Sequence, residues 1–211
     1  MPHLPEPAAR PRVVDASLAD DCVEILVGAF YADPLWSWAF PDDVRRREQH
    51  RVLWRLMVEG AIRYPWTWIT AGGSATSLWI PPGGTELSDE AAAGLESLLV
   101  DLLGDGAARV LAAMDALEDA HPRDTPHFYL SLLGTDPAQR GHGYGLGLLA
   151  DNLREIDARG MPAYLESSNP ANVPLYARHG FVPVGVATPS GGPEVVTMWR
   201  DPVPPRPALR D

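Results

Sequence analysis

The chain reads as a single α/β domain with a mixed central sheet, and three stretches predict it. In the last third, the apolar run Phe128–Leu133, the helix-spaced run Leu146–Arg159 and the run Ala163–Ser168 follow one another. Strand, helix and strand over this length imply a parallel pair joined by a crossover helix. In the middle, Trp66–Thr70 and Ala75–Ile80 are β-rich runs separated by Gly72-Gly73, which reads as an antiparallel hairpin. In the first third, Val23, Leu26, Val27 and Phe30 recur at helical spacing.

Taken in order, Arg12–Ala16 reads as a first strand. Ser17 or Asp20 then caps a helix ending near Phe30. Tyr31 to Pro41 reads as an aromatic turn, and a second helix is expected from about Asp43 to Arg63. After the hairpin, Pro81-Pro82-Gly83-Gly84 ends the strand. Ser88 caps the next helix, with Asp89 and Glu90 in its first turn, where negative charge is favoured. Gly104-Asp105-Gly106 breaks that helix, and another runs to about Asp119. Beyond the crossover, Val173–Arg178 is a short helix closed by Gly180, and Phe181–Val184 and Glu194–Trp199 complete the sheet. The folded domain spans residues 12–200, between Pro-rich tails at 1–11 and 201–211 that read as flexible.

Of the 211 residues, 45% are hydrophobic, enough for one full-sized core. The formal net charge of −11 repels phosphates, which argues against nucleic acid as a partner and favours a cationic small molecule. Every basic side chain apart from histidine is Arg. Cys22 is the only cysteine, so neither an internal disulfide nor a thiolate metal cluster can form. His127 and His179 lack metal-ligand spacing, and no metal is expected. No apolar run is long enough to span a membrane, and the N-terminus lacks the regions of a signal peptide. A cytoplasmic location is expected, and a homodimer is left open.

The run Gln139–Gly147 lies between a strand and a helix. Its alternating glycines let backbone N–H groups turn inward, where the helix dipole adds partial positive charge. Together these form a phosphate cradle, the alternative being a turn that only tightens strand–helix packing. A Walker loop is excluded because the chain has no Lys, and the spacing from Gly141 or Gly143 does not give a dinucleotide fingerprint. Arg140-Gly-His-Gly143-Tyr-Gly145 resembles the Arg/Gln-x-x-Gly-x-Gly/Ala signature of the GNAT superfamily of N-acetyltransferases. About forty residues on, Leu165 to Phe181, ending Leu-Tyr176-x-x-x-Gly-Phe181, resembles that family's second block. The layout is most similar to the puromycin N-acetyltransferase-like group, from His121-Pro122 and the Leu-Glu-Ser-Ser-x-Pro-x-Asn-x-Pro stretch.

The resemblance implies a mixed, mostly antiparallel sheet whose two parallel central strands splay apart. It implies acetyl-CoA as co-substrate, its pantetheine arm beside Leu133, Gly134 and Thr135 and its pyrophosphate on Arg140, Gly141, His142, Gly143, Tyr144, Gly145 and Leu146. Asn172 matches a position that touches the CoA arm, or else caps the short helix. Tyr176 matches the family's general acid, and Glu166, at a strand end, is either the general base or holds the amine. Tyr31, Asp33 and Trp36 occupy the stretch that walls the acceptor pocket in related enzymes. The implied reaction is acetyl transfer to an amine of a small molecule within a ternary complex. A longer acyl-CoA donor and a catalytically silent CoA-binding module are the alternatives.

Overall fold

The computed structural model describes residues 10–204, so most of both tails lies outside the described residues. Seven strands form one sheet: β1 (Arg12–Val13), β2 (Thr67–Ile69), β3 (Ala75–Ile80), β4 (Phe128–Thr135), β5 (Ala163–Ser167), β6 (Val182–Ala187) and β7 (Val195–Arg200). Their order is β1-β2-β3-β4-β5-β7-β6, and every neighbouring pair is antiparallel except β4–β5. The mixed, mostly antiparallel sheet is therefore as the sequence predicts. Helices α1 (Ala19–Phe30), α2 (Pro34–Ala39), α3 (Arg46–Ala61), α4 (Asp89–Leu103), α5 (Ala107–Ala120), α6 (Tyr144–Asp157) and α7 (Val173–Ala177) complete the fold.

The sheet separates two cores. On one side α1, α2, α3, α4 and α5 pack residues such as Leu26, Trp36, Trp54 and Leu99 around Leu78 and Leu132. On the other, α6 lays Leu149, Leu153 and Ile156 against Trp79, Phe128, Leu165 and Met198. Asn152 is buried in that apolar face, where its side-chain oxygen accepts from Ser77 Oγ at 2.7 Å and Trp79 Nε1 at 3.0 Å. A buried amide without such donors would cost about 1–3 kcal/mol, so the pair fixes how α6 sits on β3.

Helix starts differ from the sequence reading for local reasons. Neither Ser17 nor Asp20 caps α1. Asp15 Oδ1 takes the Ser17 N–H and hydroxyl at 2.9 and 2.6 Å, and the helix opens one step later behind Leu18. Asp42 likewise accepts from the N–H groups of Val44 and Arg45, both at 3.1 Å, and α3 opens at Arg46. The aromatic stretch is not a turn: residues Pro34–Ala39 form α2, capped by Asp33 Oδ1, which accepts from Leu35 and Trp36 N–H at 3.0 and 3.2 Å. Asp followed by Pro at the first helical position is a helix start, and clustered Trp residues obscured it. Ser88 caps α4 as expected, accepting from Ala91 N–H.

The parallel pairing of β4 with β5 lasts three rungs, Phe128↔Ala163, Tyr129↔Tyr164 and Leu130↔Leu165. Its end has a visible cause on the other edge of β4. There Trp79 pairs with Leu130 but Leu78 pairs with Leu132, which leaves Ser131 as an extra residue, a β-bulge. A bulge bends its strand and breaks the ladder locally. Past it β4 follows β3 and leaves β5, and the sheet opens between Ser131–Leu133 and Glu166–Ser168.

Candidate active site

The opening in the sheet leads into a cavity of about 390 Å³. Its floor is the split between β4 and β5, its roof the apolar faces of α2, α3, α4 and α5, and Asn172 and Tyr176 close one end. Of the residues singled out in the sequence, Leu133, Glu166, Asn172, Tyr176 and Trp36 line this one space. Asp33 stands behind it, 7% exposed, and binds Ser168 through a hydroxyl-to-Oδ2 bond of 2.7 Å while capping α2. Tyr31 is not a lining residue. Its hydroxyl donates to the Asp43 carbonyl at 3.0 Å, and Arg46 and Arg47 stack on its ring.

Tyr176 packs edge-on to Phe181, and burial together with the charge of Asp33 pushes its pKa up to about 12. It is therefore a protonated donor across the neutral range. Glu166 is the first residue past the last parallel rung, and its side chain is 4% exposed. Its Oε1 has no hydrogen-bond partner, and His121 Nδ1 stands 3.7 Å away. Asn172 makes no side-chain cap on α7, while Asn169 supplies one just upstream by accepting from Ala171 N–H at 3.0 Å.

A polar group at the other end escaped the sequence reading. His127 Nδ1 faces the Thr125 carbonyl at 2.7 Å and must donate to it, so His127 Nε2 accepts from His121 Nε2 at 3.1 Å. His121 Nδ1 is thereby turned toward Glu166. Ser131 Oγ, on the bulge, donates to Glu86 Oε1. Burial, with the nearby charge of Glu166 adding to it, raises Glu86 to about 7, against the lowering effect of the Ser131 bond. Tyr129 is raised well above its ordinary range, by burial first and then by Glu166 and Glu86. In the sequence, His121-Pro122 stood out only through the family resemblance, and His127 only as a residue without metal-ligand spacing.

The glycine loop leads into α6 from outside this cavity. Gly141 and Gly143 have φ of +83° and +79°, the left-handed region, and a side chain added at either would meet nothing within 4 Å. Among the described residues, no hydrogen bond uses the N–H of any residue from Gly141 to Leu146, so the donors at the start of this 14-residue helix are free. The other glycines have different reasons. Gly145 is in contact with the Thr135 hydroxyl, and Gly134 lets β4 approach Leu26 and Ala29 of α1. Arg140 turns away, donating to the Ala29 carbonyl at 2.8 Å. His142 bonds the Gln139 carbonyl at 3.2 Å and stacks on the exposed ring of Tyr144. Leu146 packs partly into the second core. Among the described residues, no group of three or more His, Cys, Asp or Glu is arranged to hold a metal ion, and no helix is long and apolar enough to cross a membrane.

A sheet split past a bulge, with free helix donors beside it, is shared with known proteins. Residues 75–181, just over half of the chain, match the Acetyltransferase (GNAT) family, and the chain belongs to that family. An uncharacterized N-acetyltransferase of Schizosaccharomyces pombe is 32% identical over 117 residues, 50% of this chain and 46% of the yeast protein. The chain thus spans about half the length of that curated relative. A structure described as histone acetyltransferase HPA2 and related acetyltransferase, from Corynebacterium glutamicum, superposes with a TM-score of 0.67 at 23% identity, covering 94% of this chain and 99% of that one. A polyamine N-acetyltransferase of Drosophila melanogaster gives 0.63 at 15% identity, over 91% and 99%. Arylalkylamine N-acetyltransferase 2 of Aedes aegypti gives 0.61 at 14%, over 92% and 99%. At such identities the structures share the fold.

Proposed function

We propose that the chain is an N-acetyltransferase that moves an acetyl group from acetyl-CoA to the amine of a small molecule. The observation that carries this reading is the row of N–H groups from Gly141 to Leu146 that no acceptor in the described residues takes, with open space around Gly141 and Gly143, at the N-terminus of α6. Such a row with the helix dipole behind it suits a pyrophosphate. The split at Leu133 suits an extended arm that would pair with the freed edge of β4 and bring its end to the cavity. Arg140 is engaged with α1, so backbone donors rather than that guanidinium serve the phosphates.

Acetyl-CoA supplies the activated acetyl group. Transfer forms an amide C–N bond and breaks the thioester C–S bond, while the amine gives up one proton and the sulfur takes one. Glu166, unpartnered at Oε1 and lining the cavity, receives the amine proton directly or through water, with His121 Nδ1 beside it. Tyr176 holds a proton at its hydroxyl for the sulfur at the opposite end. The apolar roof excludes water and holds the amine near the split, so proximity supplies part of the acceleration.

The test is CoA-thiol release by the purified protein with a panel of amines and a panel of acyl-CoAs. Acetyl transfer to at least one amine, confirmed by mass of the product, is expected. Turnover only with longer acyl chains would reassign the donor. Tight CoA binding with no turnover on any amine would leave a binding module and defeat the enzymatic reading.

A further inference from the structure

Four carboxylates line the cavity, Glu86, Asp115, Glu118 and Glu166, and no Arg does. Negative charge in an enclosure that is otherwise largely apolar is costly unless a cation meets it. Within the lining the chain supplies one candidate, His121, whose Nε2 is already taken by His127; Arg123, outside the lining, pairs with Glu118 at 2.9 Å. Glu166 Oε1 is buried with no hydrogen-bond partner. Glu86 has one partner, the neutral hydroxyl of Ser131, and that bond holds it at the split opposite Glu166. Ser131 and Glu166 are the first residues past the last parallel rung on their two strands, so the two carboxylates flank the mouth of the split from either side. Glu118 and Asp115 follow on one face of α5. One reacting amine accounts for Glu166; Asp115 and Glu118 are exposed, and Glu86 is left without a cation.

We propose that the acceptor carries two cationic groups joined by an apolar linker, a diamine in chemical class. The reacting amine lies at Glu166, and the second ammonium is held by Glu86. The linker runs under the apolar roof that Trp36, Trp54, Met57 and Leu95 provide. Glu86 is then a specificity-determining residue, placed by the bulge and by the loop before α4. Gly60 of α3 makes that placement possible, because a side chain there would collide with the Glu86 carbonyl.

This rests on the acetyltransferase reading, and its test is chosen to fail separately from it. Initial rates with acetyl-CoA are measured for putrescine, n-butylamine and the hydroxyl-terminated analogue of n-butylamine, which match in length and differ in the second charge. The kcat/KM for putrescine is expected to exceed both others at least tenfold. Glu86→Gln, which keeps an acceptor for Ser131, is expected to shrink that ratio at least tenfold. Equal rates with mono- and diamines, or a ratio untouched by Glu86→Gln, would overturn the inference while leaving the enzyme an acetyltransferase. If no amine is acetylated, putrescine is titrated calorimetrically into the CoA-saturated protein. Binding that Glu86→Gln removes upholds the cation site without the reaction, and absence of binding overturns it. Should Glu86→Gln fail to fold by circular dichroism, Ser131→Ala, which removes the bond that holds Glu86 at the split, serves in its place with the same expected ratio.

Discussion

Tyr176 carries the most direct prediction because one atom can be removed from it without disturbing its packing. Its ring is held by Phe181 and its hydroxyl makes no hydrogen bond among the described residues, so Tyr176→Phe leaves the fold intact. A general acid contributes about 10²–10⁴-fold. The variant is expected to bind acetyl-CoA with unchanged Kd and to lose at least tenfold in kcat, read by calorimetry and by CoA release. An unchanged kcat where chemistry limits turnover would show that solvent protonates the sulfur. His50 makes a prediction of another kind. It is fully buried against Phe40 and Trp54 with neither ring nitrogen bonded, and burial, aided by Arg46, lowers its pKa from 6.5 to about 4. Between those values the unfolded chain takes up a proton that the folded chain refuses. Stability from this group is therefore lost as pH falls from 6.5 toward 4, by about 3 kcal/mol in all at 1.36 kcal/mol per unit. Urea unfolding at pH 7 and pH 4 is expected to show a smaller loss in His50→Phe than in the wild type by that order. Tyr176 and Glu166 were legible in the sequence because a short motif and strand alternation place them. Glu86 was not, because it lies in a Pro-Gly loop and meets its partner Ser131 only after a separation of 45 residues.

At the next scale, the glycines at the start of α6 have two different reasons, left-handed backbone in open space at Gly141 and Gly143 and close packing on Thr135 at Gly145, and substitutions should separate them. Gly143 is left-handed with open space around it, so Gly143→Val both strains the N-cap and places a branched side chain where a phosphate would approach. The helix is long and packed by its far turns, so folding is expected to survive while acetyl-CoA affinity falls by tenfold or more in calorimetry. An unchanged affinity in the folded variant would remove the phosphate assignment. Gly60 lies in the last turn of α3, where the backbone of Glu86 comes too close for any side chain. Alanine is ordinarily the better helix former by about 1 kcal/mol. Gly60→Ala is nevertheless expected to lower Tm, because the Glu86 loop must move away. A raised Tm would mean that the loop yields freely. The alternating glycines made the loop legible at once, whereas the separate role of Gly145 depends on Thr135, which no local pattern connects to it. Helix α2 was hidden for the opposite reason: its cap, Asp33-Pro34, was in plain view inside a run of aromatics that reads as a turn.

For the whole molecule, the strand–helix–strand unit and the hairpin fixed most of the architecture from sequence, since each is written in contiguous residues. The order of the last two strands was not so written. β7 inserts between β5 and β6, and Arg200 at its end is clamped to Asp157 of α6 by two bonds of 2.7 Å. That bidentate pair, largely buried, ties the final strand to the crossover helix. Removing one partner is expected to cost about 3–5 kcal/mol, so Asp157→Ala should unfold at markedly lower urea. The bulge at Ser131 has the widest reach. Leu130 faces α6 and Leu132 faces α1, with Ser131 interposed as a surplus residue. A chain lacking Ser131 would put Leu132 directly after Leu130 and still keep strict alternation to Thr135. Its faces would be unchanged, yet the ladder to β5 would have no reason to stop, and the split would zip shut. Substitution at this position alters a side chain, while deletion alters a count. The opening is thus encoded as a length, one codon in a strand, and a lineage could gain or lose the cavity mouth by a single in-frame step without touching any other residue that lines it.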